Sequence, residues 1–266
     1  MDVKLKGKNA IVTGGSAGIG FACAKALVEE GTNVMIVGRN QKHLEEAAQK
    51  LQEVSKDNDR QTIIPVSGDL SEADTPNRII DIAVSQLGSI DILVNNAGSA
   101  PAGSFLDLKD EVFIESWNLK LLGYIRMIRA VTPHMMQQRD GKIINIIGSS
   151  GRTPSPSFLP GSTTNAALIN FTKGISKELA RYNVRINAIS PGMTATERAN
   201  RLANQEASVK GITIEEQKEE VLSSIPLGNM VNPDEIANLV LLLASNLVPS
   251  LTGSEIVIDG GAQPGI

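Results

Sequence analysis

Short apolar runs alternate along this chain with longer stretches in which apolar residues recur at helical spacing. The first run, residues 9–13, is nearly all apolar, which is typical of a strand buried on both faces of a parallel sheet. The pattern predicts further strands at residues 33–37 and 90–94, and one that runs into a loop within residues 62–70. It predicts helices at residues 19–30, 41–56, 74–87, 111–139 and 161–182. This alternation indicates an α/β fold with a doubly wound parallel sheet and right-handed crossovers.

A glycine-rich turn joins the first strand to the first helix. Glycine permits the turn itself at Gly14 and close packing of helix against strand at Gly20. The backbone N–H groups of such a turn can approach a pyrophosphate at the positive end of the helix dipole. The turn therefore predicts a dinucleotide site, with a purely structural turn as the alternative. The candidate cofactor-binding residues are Gly14, Ser16, Gly18, Ile19 and Gly20.

The ends of the second and third strands bear on the adenosine half of such a cofactor. An acidic residue after the second strand suits the free ribose of NAD(H), whereas an arginine suits the 2′-phosphate of NADP(H). Arg39 stands there, and so we expect NADP(H) rather than NAD(H), unless Arg39 is only a solvated side chain. Asp69 and Leu70 follow the third strand and are candidates for the adenine site, although Asp69 could equally cap the next helix.

Composition narrows the class of protein. The 266 residues are 41% hydrophobic and 20% charged, enough apolar residues for a sizeable core. A net charge of −4 argues against a nucleic-acid partner, and no apolar run reaches the roughly 18 residues of a membrane span. The single Cys23 allows no intrachain disulfide, and no Cys, His and Asp cluster predicts a metal site. The first strand begins almost at once, and we expect a cytoplasmic protein without a signal peptide.

Six motifs spread over almost the whole chain make it resemble the short-chain dehydrogenase/reductase family. The most specific are Thr-Gly-Gly-Ser-Ala-Gly-Ile-Gly at residues 13–20 and Asn-Asn-Ala-Gly at residues 95–98. The others lie at residues 117–120 (with Asn118), 141–145, 185–192 and 256–260. The resemblance implies a seven-stranded parallel sheet between two helical layers, a Rossmann-type single domain over residues 1–266, and assembly as a homodimer or homotetramer.

The resemblance also assigns roles along the nicotinamide half of the cofactor. Asn95 would stabilise the centre of the sheet, and the residues that would contact the cofactor are Asn96, Ala97, Gly98, Pro191, Gly192, Thr194 and Thr196. Thr194 could instead serve only its own turn. Residues 193–225 would cover the substrate, a small molecule. Arg198 and Arg201 in this segment could hold an anionic group on it, or could form a solvated helix face.

The proton-donating residues of the family are missing. The resemblance implies a Tyr whose pKa is lowered by a Lys four residues later, on the same helix face, together with a Ser and an Asn. Alignment without gaps places Gly148, Gly161 and Asn165 at the Ser, Tyr and Lys positions, and Asn118 at the Asn position. The only tyrosines, Tyr124 and Tyr182, belong to helices that we expect to lie away from this loop. The remaining candidates for catalysis are Asn118, Ser149, Ser162 and Asn165.

Three functions compete on this reading. The first is an NADP(H)-dependent oxidoreductase that acts on a carbonyl or hydroxyl substrate through an atypical site, with a relayed water or a hydroxyl in place of tyrosine. The second is a weak or inactive pseudoenzyme subunit that pairs with an active paralogue through the two long helices. The third is a non-redox lyase or isomerase in the same pocket. Arg152, in the proline-rich segment 151–161, could contact an anionic substrate or a partner, or could be solvated.

Overall fold

Seven parallel strands form one sheet in the computed structural model, which describes residues 2–56 and 61–263. The strands are β1 (Asn9–Thr13), β2 (Asn33–Gly38), β3 (Ile63–Ser67), β4 (Ile92–Asn95), β5 (Gly141–Ile146), β6 (Val184–Pro191) and β7 (Glu255–Ile258). Their order in the sheet is β3-β2-β1-β4-β5-β6-β7, and every neighbouring pair is parallel. The direction of winding reverses between β1 and β4, which is where α/β sheets open a crevice for ligands.

Nine α-helices complete the part of the chain that the structure describes. They are α1 (Gly18–Glu29), α2 (Gln41–Glu53), α3 (Thr75–Leu87), α4 (Asp110–Ser116), α5 (Gly123–Gln138), α6 (Leu159–Leu179), α7 (Glu197–Lys210), α8 (Ile214–Ser223) and α9 (Pro233–Ala244). Apolar residues of α1, α2 and α9 pack on one face of the sheet, and those of α3, α5 and α6 pack on the other. The predicted fold class is therefore confirmed, as three layers around a doubly wound seven-stranded sheet.

Both faces of the central strands are covered, which explains their apolar sequences. All residues of β1, β5 and β6 are buried. Three of the buried polar side chains form a chain of hydrogen bonds that joins β4, β5 and α6. Asn95 Nδ2 donates to Asn145 Oδ1 (3.0 Å), and Asn145 Nδ2 donates to Thr172 Oγ1 (3.0 Å). Asn95 thus lies at the sheet centre, as the resemblance implied.

The helix predicted over residues 111–139 is interrupted in the structure. A π-helical segment, Trp117–Leu122, separates α4 from α5. Such segments insert one extra residue into a turn and so rotate the side chains that follow; they are frequent at functional sites. The other long helix agrees better with its prediction, since α6 covers most of residues 161–182. Residues 193–225 hold α7 and α8, as their helical pattern indicated.

Two predicted absences can be compared with the described part of the chain. Over residues 2–56 and 61–263, no helix combines the length and the apolar character that a membrane crossing requires. In the same ranges, no three His, Cys, Asp or Glu side chains come together as a metal site would need.

Candidate functional site

A cleft of about 820 Å³ opens at the carboxyl ends of the central strands. Its floor is the turn after β1 and the segment after β4, with Gly14, Gly18, Asn96, Ala97 and Gly98 among its lining residues. Its outer wall comes from the N-terminal part of α7, and its far end from α2. The glycine-rich turn and the segment after β4, which the sequence predicted as two parts of one site, therefore meet in this cleft.

The glycines of the turn have the conformations that only glycine adopts easily. Gly14 and Gly18 have φ of +68° and +55°, in the left-handed region. A Cβ on Gly20 would overlap the Gly14 carbonyl oxygen, and so no other residue fits between the helix and the turn. The turn is fixed to β4, because the Asn96 backbone N–H donates to Thr13 Oγ1 (2.9 Å) and Asn96 Nδ2 donates to the Gly14 carbonyl (3.2 Å).

The residues of the turn fit a pyrophosphate. Helix α1 begins without a side-chain cap, since Ala17 precedes it and its first turn holds no acidic residue. Its first N–H groups and the positive end of its dipole are thus available to an anion. The space above the turn is also open: a Cβ on Gly18 would meet only Thr196, at 3.5 Å or more. The turn therefore leaves room for a pyrophosphate beside Gly18.

The three residues predicted to contact the adenosine half of the cofactor have different surroundings in the structure. Arg39 is exposed just after β2, and Ser67 Oγ donates to its carbonyl oxygen (3.1 Å). Asp69 accepts hydrogen bonds from the backbone N–H and the hydroxyl of Ser71 (2.9 and 2.8 Å). Burial alone would raise the pKa of Asp69, but these hydrogen bonds and the charge of Arg39 hold it below its ordinary value. The Leu70 side chain is 2% exposed and belongs to the core, so at most its backbone can meet an adenine ring.

The candidates after β6 support the cleft from its other side. Pro191 ends β6, and a Cβ on Gly192 would lie 2.7 Å from Asp259 Cβ, so glycine is required there by packing. Thr194 is nearly buried, and its hydroxyl donates to the Gly192 carbonyl (3.0 Å). The hydroxyl thus serves its own turn, which was one of the two interpretations of this residue. Thr196 caps α7 and borders the cleft instead.

An aromatic ring packs against Gly161, the residue that ungapped alignment places at the family's tyrosine position. A Cβ on Gly161 would overlap Cε1 and Cζ of Phe158, which lies in a short 3₁₀ turn immediately before α6. The ring therefore occupies the space into which a side chain at the family's tyrosine position would begin. Phe158 was not a sequence candidate, because an apolar residue three positions before a glycine carries no chemical signal.

An amine from another helical segment contacts Asn165, the residue that ungapped alignment places at the family's lysine position. Lys120 Nζ donates to Asn165 Oδ1 (2.8 Å) and to the Ile147 carbonyl oxygen. Lys120 is carried by the π-helical segment and lines the cleft. Asn165 Nδ2 in turn donates to Ser150 Oγ (2.9 Å). Lys120, Asn165 and Ser150 therefore form one hydrogen-bonded chain.

The surroundings of Lys120 contain hydrogen-bond acceptors but no compensating negative charge. Burial, with a further contribution from the charge of Arg198, lowers the pKa of Lys120 from 10.5 to about 7. Among the residues that the structure describes, no carboxylate forms an ion pair with it. Tyr124 packs below, with the amine 5.9 Å from its ring centroid. The Tyr124 hydroxyl donates to the Ile146 carbonyl (2.9 Å) and is fully buried, and burial raises its pKa.

Three of the predicted catalytic residues are placed differently from what their sequence positions suggested. Asn118 turns away from the cleft: its Nδ2 donates to the Ser71 carbonyl (3.0 Å) and its Oδ1 accepts from Arg126 (2.9 Å). The Ser149 carbonyl accepts a hydrogen bond from the Gln263 side chain, while the neighbouring Ser150 contacts Asn165. Ser162 is buried, and its hydroxyl has no partner within the described residues. Only Asn165 belongs to the Lys120 chain.

The physical reason for the Asn118 correction is the phase of the helix. Residues two apart on a helix differ by about 200° in direction, so Asn118 and Lys120 face opposite sides. The local motif at residues 117–120 contains both, and it cannot show which side chain points into the cleft. One signal did exist: Lys120 is a lysine among Leu119, Leu121 and Leu122, in a helix that packs on the sheet. A charged residue in such surroundings is rarely buried unless it has a partner, and so it indicates a polar contact on the inner side of the helix.

Arg152 has a partner within the chain. Its Nε lies 2.7 Å from Glu255 Oε2, and Glu255 Oε1 accepts a hydrogen bond from Ser190 (2.7 Å). The Glu255 side chain is 7% exposed, so the arginine neutralises a buried carboxylate. The guanidinium therefore ties the segment before α6 to β7.

Comparison with known proteins agrees with this geometry. The family model described as short chain dehydrogenase matches residues 8–207. The chain is 30% identical to the NADPH-dependent reductase BacG of Bacillus subtilis, over 97% of this chain and 99% of that protein. It is 33% identical to a 3-oxoacyl-[acyl-carrier-protein] reductase of Chlamydia muridarum, over 98% and 99% of the two chains.

A solved structure extends the likeness to the whole fold. L-sorbose reductase from Gluconobacter frateurii, in complex with NADPH and L-sorbose, superposes with a TM-score of 0.94 at 28% identity and covers 100% of both chains. The matched residues include the glycine-rich turn, the segment after β4 and the helices around Lys120. The chain described here belongs to the short-chain dehydrogenase family.

Proposed function

We propose that this protein is an NADPH-dependent reductase that converts a carbonyl group to a hydroxyl group, with Lys120 as the proton donor. The observation that carries the proposal is a buried amine on the wall of the cleft, one hydrogen bond from the family's lysine position. Relatives described as NADPH-dependent reductases support the direction of the reaction.

The cofactor of this proposal is NADP(H), which supplies the hydride when it is bound. Gly14, Gly18 and the first N–H groups of α1 would hold its pyrophosphate. Arg39, exposed at the end of β2, would meet the 2′-phosphate, for which a guanidinium is well suited. NAD(H), which lacks that phosphate, would gain nothing from Arg39.

Lys120 is placed to deliver a proton. A protonated lysine has three N–H donors, and the Ile147 carbonyl and Asn165 Oδ1 accept two of them. The third is left at the wall of the cleft, toward the space where a carbonyl substrate would lie. As the carbonyl carbon receives the hydride, this N–H would transfer its proton to the carbonyl oxygen. The neutral amine would then be reprotonated from solvent through the cleft, and Asn165 would act as a positioning residue.

The experiment is a pH profile of carbonyl reduction by the wild type and two variants. In the wild type, kcat/KM should fall as pH rises through about 7, because the donor is present only below its pKa. Lys120→Met should lower kcat by roughly 10²- to 10⁴-fold, the usual range for loss of general acid catalysis, and should abolish the inflection. Lys120→Arg keeps a charge that does not titrate in this range, and it should be as slow as Lys120→Met.

Lys6→Met is the matched control, since it removes one exposed lysine from the segment before β1, outside the cleft. It should behave as the wild type at every pH. Unchanged turnover in Lys120→Met, over a substrate panel on which the wild type is active, would refute the proton-donor role.

One observation favours the pseudoenzyme alternative. The ring of Phe158 fills the space in which the family's proton donor begins, which is what a site released from catalysis could tolerate. This alternative predicts tight NADPH binding, measured by fluorescence, with no turnover of any carbonyl at high enzyme concentration. The same assays repeated with co-purifying proteins would then test for an active partner.

A further inference from the structure

Two cationic side chains lie against the same glycine at the inner end of the cleft. Arg198 Nη1 donates to the Gly98 carbonyl (3.4 Å), and Nη2 donates to the Ala100 carbonyl (3.2 Å). The aliphatic part of Lys120 packs on Gly98 so closely that a Cβ there would lie 2.7 Å from Lys120 Cδ. The backbone of Gly98 thus separates an ammonium from a guanidinium, and both residues line the cleft.

No acidic side chain in the described part of the chain compensates these two charges. Neither Lys120 nor Arg198 takes part in an ion pair there. Two carboxylates do line the cleft, but they are engaged elsewhere or lie in solvent. Glu46 belongs to α2 at the far end, and the Glu197 side chain is 92% exposed, 3.9 Å from Arg201. The inner end therefore has an excess of positive charge, which favours an anion.

The guanidinium has donors left for such an anion. Arg198 carries five N–H donors in a planar fork, and the two backbone carbonyls accept two of them. Those bonds fix the guanidinium at the cleft wall, so little side-chain freedom remains to be lost on binding. A planar carboxylate matches this fork better than any other common anionic group of small metabolites except phosphate.

We propose that the substrate is an oxo acid, whose carboxylate binds Arg198 while its carbonyl oxygen lies at Lys120. This proposal rests on the proposed function, since it names the substrate class of the same site. The reaction would convert the oxo acid to a hydroxy acid: the carbonyl carbon gains the hydride, and the carbonyl oxygen gains the proton of Lys120. The NADPH consumed leaves as NADP⁺, and the carboxylate is unchanged.

The two cations would also act on each other through the substrate. In the free protein Arg198 disfavours the protonated form of Lys120. A carboxylate bound at Arg198 would offset that repulsion and favour the protonated amine. An oxo acid would therefore help to keep its own proton donor charged.

The test compares short 2-oxo and 3-oxo acids with their uncharged methyl esters. The wild type should reduce the acids with kcat/KM at least 10-fold above that of the esters. The pKa seen in kcat, which reports the bound complex, should exceed that in kcat/KM for the acids but not for the esters. Arg198→Met should raise KM for the acids by roughly 10- to 100-fold, the range for loss of a hydrogen bond to a charged group, with the esters unaffected. Lys6→Met again controls for the change in net charge.

A binding measurement keeps the proposal separate from turnover. Calorimetric titration of oxalate or malonate, which cannot be reduced, into the protein saturated with NADP⁺ should show binding that Arg198→Met abolishes. If these dicarboxylates bind through Arg198 but no carbonyl is reduced, the proposed function fails and the anion site stands. Equal kcat/KM for acids and esters would overturn the oxo-acid assignment. So would an Arg198→Met variant whose only defect is weaker NADPH binding, because Arg198 would then belong to the cofactor.

Discussion

Lys120 should make the stability of the folded protein depend on pH in a way that a single substitution can isolate. Its pKa is about 7 in the folded state against an ordinary value of 10.5. The difference corresponds to about 5 kcal/mol of destabilisation of the protonated form by burial. Below pH 7 the amine is protonated in both the folded and the unfolded chain, and the folded state bears this full cost. Above pH 7 the folded state loses the proton first, so the cost declines until pH 10.5.

Lys120→Met removes the titrating group and keeps an unbranched side chain of similar length. The free energy of unfolding of the wild type minus that of Lys120→Met should therefore rise with pH. Linkage gives an increase of roughly 2 kcal/mol between pH 7 and pH 9. The increase is smaller than the limiting slope would give over this range, because the folded-state amine is still half protonated at pH 7. Loss of the hydrogen bonds to Ile147 and Asn165 shifts this difference by a constant but leaves its slope unchanged. At pH 6 the burial of the protonated amine lowers the stability of the wild type relative to the variant, whereas the two hydrogen bonds of the amine raise it.

The assay is urea unfolding followed by far-ultraviolet circular dichroism at half-unit steps from pH 6 to pH 9. Subtraction of the variant cancels the other ionisable groups, which the two proteins share. Lys6→Met, which removes an exposed ammonium, should give a nearly flat difference over the same range. A flat difference for Lys120→Met would show that the amine has an ordinary pKa, and the proton-donor role would lose its physical basis.

Two further predictions concern the packing of Phe158 against Gly161 and the role of Arg39 in cofactor preference. Gly161→Tyr alone should be destabilised by several kcal/mol in the same assay, because its side chain would overlap the Phe158 ring, and small-to-large changes in packed sites are costly. Gly161→Tyr combined with Phe158→Ala should recover most of that loss, whereas equal stabilities of the two would show that the ring moves aside freely. Arg39→Ala should lose most of a preference for NADPH over NADH, measured as two dissociation constants by fluorescence titration. Equal affinities in the wild type would contradict the role of Arg39.

The parts of this protein that could be predicted from the sequence are those set by local pattern. Strands buried on both faces must be apolar, so β1, β2 and β4 stand out as short apolar runs. A turn with positive φ favours glycine, so the glycine-rich turn at Gly14 and Gly18 can be recognised from the residue types alone. The expectation that the family's tyrosine and lysine are replaced also comes from residue identity, since ungapped alignment places Gly161 and Asn165 at those two positions.

The contact between Lys120 and Asn165 was decided by the tertiary structure. The tip of a lysine side chain reaches far from its own backbone, so the amine that bonds Asn165 could come from any neighbouring element. The π-helical segment sets the helix phase that turns Lys120 into the cleft and Asn118 toward Ser71. The spacing of residues in that segment does not indicate this phase. Sequence position fixes where a residue lies along the chain. The packing of α5 and α6 on the sheet determines which side chains contact each other and how deeply they are buried.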